Sequence, residues 1–90
     1  MLALVGSGEY LPAMEPIDRE LISRLQESPR VVCLPTAAGK EGPERIAYWL
    51  RLGVEHFTRL EAKVEALPVI DRESANDRNL AKVICFLKMI

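Results

Sequence analysis

The chain has little of what recognisable sites are built from. Its 90 residues include one histidine, one tryptophan and two cysteines, and aromatic residues make up only 6%. A single His56 with two widely separated cysteines, Cys33 and Cys85, cannot complete a Cys/His zinc set, and no C-x-x-C pair is present. Neither a metal nor a cofactor is therefore expected. Each cysteine sits in an apolar run and reads as a buried thiol, with a disulfide between the two as the alternative. The formal net charge is −1 with acids and bases interspersed, so the clustered basic stripe of a nucleic-acid surface is missing. No apolar run approaches the ~20 residues of a membrane span, and the N-terminus has neither the basic start nor the cleavage site of a signal peptide. These absences predict a cytoplasmic protein with no nucleic-acid or membrane partner.

What is present is an alternation. Residues 2–6 form a short apolar run closed by Gly6, read as a buried strand. Pro16 then opens a helix in which Ile17, Leu21 and Leu25 recur at four-residue steps, with Asp18, Arg19, Glu20 and Arg24 on the other side. Ser28-Pro29 ends it. Val31 to Pro35 is a second apolar run rich in β-branched residues. Pro43 opens a second helix with Ile46, Leu50, Gly53, Phe57 and Leu60 on one face, Trp49 and Val54 flanking it, and Tyr48 at the rim. Gly53 costs helix stability there, about 1 kcal/mol relative to Ala, which implies close packing against a neighbour. Val64 to Ile70 reads as a third strand, Asp71 to Asp77 as a turn-rich loop, and Asn79 onward as a helix start.

Strand and helix repeated three times is the pattern of an α/β fold with a parallel, doubly wound sheet. Three helices barely cover both faces of such a sheet, and a three-stranded sheet keeps an unpaired edge. Residues 1–90 are therefore expected to be the N-terminal portion of a single α/β domain, truncated before its fourth strand. Completion of the sheet by another chain, or a homo-oligomer, would close the edge.

The motifs are incomplete. Gly6-Ser7-Gly8 fits the start of a dinucleotide fingerprint, but Leu11 replaces the third glycine. "AAGKEG" differs from a P-loop, because Leu34 stands where the first glycine belongs and Glu41 follows Lys40. Ser7 lies between adjacent glycines, not in the G-x-S-x-G of a nucleophile elbow. His56 reads as a partly exposed helix residue and not as a triad member. Glu9, Glu41 and Asp71 follow strands and could meet at one edge, although loop acids are usually solvated. No catalytic residue is assigned from these residues alone.

Taken together, "LVGSGEYLP", "IDRELISRL", "VVCLPTAAGKEG", "YWLRLGVEHF" and "VEALPVIDRESAND" resemble the N-terminal half of the cyanophycinase / dipeptidase E family of serine peptidases. The resemblance spans residues 2–84. It implies a flavodoxin-like sheet of the class I glutamine amidotransferase-like kind, and a metal-free serine hydrolase that cleaves peptide or isopeptide bonds at acidic residues. The family's G-x-S-A-G elbow, its histidine and the Gly-Gly turn of its oxyanion site have no counterpart in residues 1–90, and "CFLKMI" lacks that Gly-Gly. A truncation, frameshift or split reading frame would account for this, and the chain alone is expected to be inactive and only marginally stable. The resemblance carries over scaffold only: Gly6, Ser7, Gly8 and Glu9 form the first loop on the substrate side, and Thr36 the second. The alternative reading is a non-catalytic α/β module that binds a small ligand or a partner.

Overall fold

A computed structural model of the chain describes residues 4–5, 7–25 and 27–80. Among them, α1 (Glu15–Ser23), β1 (Arg30–Cys33), α2 (Pro43–Arg59), β2 (Lys63–Ala66) and α3 (Arg72–Ala75) follow in order, with single 3-10 turns at Pro12–Met14 and Thr36–Ala38. β1 and β2 are parallel neighbours, with Val31 opposite Val64 and Cys33 opposite Ala66. The result is α/β, and it contains two of the three expected strands. Of the first, residues 2–6, only Leu4 and Val5 are described, and neither belongs to a strand; Gly6 lies outside the described residues. Asn79 and Leu80 are helical, and Cys85 falls outside the description.

Each boundary has a local cause. α1 stops at Ser23, short of the expected Ser28-Pro29, because the Ser23 hydroxyl takes the Glu20 carbonyl (2.6 Å) and the next amides form tighter i→i−3 bonds. β2 ends at Ala66, not Ile70. Pro68 has no N–H for the ladder, and the Val69 amide turns back onto the Leu67 carbonyl at 2.8 Å. The expected loop at Asp71 starts with a one-turn helix, closed by a capping box between Asp71 and Ser74. α2 ends in a Schellman motif, with Glu61 N–H on Thr58 O and Ala62 N–H on Phe57 O. That motif needs a left-handed residue, and Glu61 supplies it at φ 63° without being glycine.

The core lies between α2 and the sheet, where Cys33, Leu60, Leu67, Val69 and Ala38 are buried. Gly53 makes the approach possible: a Cβ there would sit 2.8 Å from Cys33 Sγ and 3.3 Å from the Tyr10 ring. The close packing inferred from its cost to the helix is present.

α1 is rotated from the face expected of it, whereas α2 buries Gly53 and Leu60 of its expected face and adds His56 to them. In α1 the buried residue is Asp18 while Ile17 is 52% exposed, and Leu25, just past the helix end, is 44% exposed. In α2 the deepest positions are Gly53, His56 and Leu60. His56, expected at the surface, is the largest fully buried side chain among the described residues. The polar pair described next sets this rotation.

Candidate functional site

Gly8 opens a tight turn at φ +72°, closed by Leu11 N–H on Gly8 O at 3.1 Å. Glu9 and Tyr10 are its two central residues. Glu9 faces solvent and Tyr10 is half-buried, so one turn presents a carboxylate and anchors an aromatic ring. Tyr10 and Glu9 form one wall of a groove of about 290 Å³. Leu34 and Pro35, leaving the carboxyl end of β1, line it together with Ala37, Ala38, Glu41 and Trp49. Ligands of open α/β sheets bind outside the carboxyl ends of strands, and the groove occupies that position. Trp49 also meets Arg45, whose guanidinium lies 5.1 Å from its ring and 4.7 Å from that of Tyr48. A second hollow, about 590 Å³, runs along the outer flank of α1. Of its charges, Arg19 pairs with Glu15, and Glu20 pairs with Arg24 outside the lining, so it presents no convergent group.

The structure brings Glu9 and Glu41 to one groove and leaves Asp71 out of its lining. Asp71 caps α3 instead, and the Ser74 amide and hydroxyl hold its carboxyl below the usual carboxylate range. Thr36 donates its hydroxyl to Val69 O at 2.6 Å, tying the β1 loop to the exit of β2. Beside it Gly39 leaves room for the Ile70 carbonyl, which would lie 2.8 Å from an added Cβ. Ser7 is exposed.

Behind the groove lies a buried polar cluster. His56 Nε2 is 2.7 Å from Asp18 Oδ2, and the imidazole is fully buried. Against a carboxylate acceptor, Nε2 carries the proton. Nδ1 is buried and meets no hydrogen-bond partner among the described residues. In a serine triad the carboxylate holds Nδ1 and leaves Nε2 for the hydroxyl. Here the carboxylate holds Nε2, and Ser7 is on the outside. The pair is not the acid–base half of a triad with Ser7.

Tyr10 packs on the same cluster. Its ring centroid is 6.2 Å from those of His56 and Phe57, which are themselves 4.9 Å apart edge to face. Burial, then the neighbouring Cys33, push the Tyr10 hydroxyl up to about 12, with smaller contributions from the charges of Glu9 and Asp18. Burial likewise raises the Cys33 thiol, partly offset by the neighbouring Tyr10 hydroxyl. A buried, neutral thiol of this kind is inert.

No group of three or more His, Cys, Asp or Glu side chains among the described residues is placed to hold a metal ion. No helix among them is long and apolar enough to cross a membrane. The sequence signal for the Asp18–His56 pair was slight: two polar residues at positions an apolar stripe would otherwise take. Nothing local links residues so far apart in the chain.

No family model matches the chain, and no curated protein matches it. Among solved structures, the chain is similar to the crystal structure of a peptidase from an acI-B1 Actinobacterium, at 37% identity and a TM-score of 0.77 over 89% of this chain. The match takes in 34% of the peptidase, so the chain spans about a third of that protein's length. The likeness extends to sequence as well as fold, and the chain is a peptidase-like α/β unit.

Proposed function

We propose that the chain is a scaffold portion of a serine peptidase of the cyanophycinase / dipeptidase E kind, cytoplasmic and metal-free, acting on peptide or isopeptide bonds at acidic residues. The observation that carries this reading is the likeness to a peptidase across 89% of the chain. The order of glycine turn, Leu34-Pro35-Thr36 strand exit and Pro68-to-Arg72 exit supports the finer family. In this reading the Gly6–Glu9 turn and Thr36 shape the substrate side of the site, and the nucleophile, base and oxyanion donors come from residues with no counterpart in positions 1–90. The described residues contribute two strands of a parallel sheet, and in this reading further strands complete it.

A fluorophosphonate probe tests the assignment. The purified chain is expected to remain unlabelled, and labelling lost on Ser7→Ala would overturn it. Reading the coding DNA past codon 90 in all three frames is the companion test, with a G-x-S-A-G elbow as the expected finding. The groove between Glu9, Tyr10 and Trp49 supports a second reading, a non-catalytic binding module. Under that reading the isolated chain melts cooperatively, and its midpoint rises with ligand.

A further inference from the structure

We infer that the buried Asp18–His56 pair is a positioning device for the groove: it fixes Tyr10, and through Tyr10 the turn that presents Glu9. The inference relies on reading the groove as the functional edge, but not on the reaction carried out there.

The chain of contacts is continuous. Asp18 on α1 holds His56 Nε2 at 2.7 Å, so the imidazole can neither rotate nor withdraw without leaving a buried donor unpaired. The held imidazole and Phe57 form two sides of the seat in which the Tyr10 ring lies, each 6.2 Å away. Gly53 is the third side, with room for the ring only because a side chain is absent. Cys33 on β1 is the fourth, since its sulfur and the Tyr10 ring both border the space beside Gly53. Three elements thus converge on one ring: α1 through the carboxylate, α2 through His56, Phe57 and Gly53, and β1 through Cys33. Tyr10 and Glu9 are the adjacent central residues of a turn closed by one backbone hydrogen bond. Locking the ring therefore fixes the turn backbone from which Glu9 projects.

A pair that only stapled α1 to α2 would have no need of an aromatic seat. Breaking such a staple would also leave the first turn undisturbed. The two roles separate experimentally.

The test uses the 90-residue chain carrying Cys85→Ser and Tyr48→Phe, so that Cys33 and Tyr10 report alone. Two quantities are read in Asp18→Asn and Asp18→Ala: the Tyr10 ring proton shifts, and the iodoacetamide alkylation rate of Cys33, which Tyr10 and Gly53 cover. Asn keeps the side-chain volume and one acceptor, whereas Ala keeps neither. The expected order is graded, with Tyr10 resonances moving further in Ala than in Asn. Cys33 should react about tenfold faster in Ala, the scale set by losing one buried hydrogen bond, with the β1–β2 amide resonances in place. Unmoved Tyr10 resonances and an unchanged Cys33 rate, with only α1 amides perturbed, would overturn the inference. If Asp18→Ala does not fold, Asp18→Asn decides by the same two readouts. No substrate enters either measurement, so failure of the peptidase reading leaves the result intact.

Discussion

Asp18 Oδ2 and His56 Nε2 lie 2.7 Å apart and join α1 to α2 beneath a surface that hides the imidazole completely. A buried pair of this kind contributes less by its attraction than its disruption costs, because removing one partner strands the other. His56→Ala should therefore destabilise the chain by about 3 kcal/mol, the low end of the range for such pairs, since the Asp18 side chain keeps 12% exposure. The double change Asp18→Leu, His56→Leu should cost less than either single change to Ala. Urea unfolding of the three variants measures the order, and a double variant weaker than both singles would contradict it.

Gly53 invites the opposite kind of test. Alanine is the better helix former by about 1 kcal/mol, so an unpacked Gly53 would make Gly53→Ala stabilising. With Cys33 Sγ 2.8 Å from the added Cβ, overpacking should win and destabilise by about 1–3 kcal/mol. Cys33→Ala, which removes the sulfur, should recover most of that loss in a double-mutant cycle.

The Tyr10 hydroxyl gives a pH signature. Its folded value of about 12 lies above the 10.0 of a free phenol. The folded state thus keeps a proton that the unfolded chain has already released. Stability from this group is complete below pH 10 and declines as pH rises toward 12. Denaturant midpoints should fall across that window, and less steeply in Tyr10→Phe.

Glu61 marks a position where the chain is not at its best. Its left-handed φ of 63° costs an L-residue about 1–2 kcal/mol, and the Schellman hydrogen bonds around it need only the backbone. After the added flexibility of the unfolded chain, Glu61→Gly should still raise stability by about 1 kcal/mol. Thermal melting checks the sign.

How far these features could be read beforehand depended on whether their cause was local. α2 was legible because Pro43 and a helical apolar period coincide, and Gly53 because its cost demanded a reason. Of the expected substrate-side residues Glu9 lines the groove, whereas Ser7, Gly8 and Thr36 are outside its lining. The rotation of α1 was not legible. Ile17 and Leu25 have the right spacing for a core, and only a partner from the other helix turns Asp18 inward. β2 was drawn too long because Val69 and Ile70 are good strand residues, whereas the end of the ladder is set by Pro68 and a backbone turn. The Asp71 cap was missed although its acceptor and Ser74 stand three apart.

The parallel pairing of β1 with β2 also governs the order of folding. Their ladder closes only after all of α2 has been laid between them, so its contacts are long-range and their closure entropy must first be met. β1, α2 and β2 should therefore gain structure as one cooperative unit, with α1 attached afterwards through Asp18. Native-state hydrogen exchange would show α1 amides opening at lower free energy than those of α2 and β1, and uniform protection would contradict this. In a chain made from its N-terminus, α1 emerges first and is secured last.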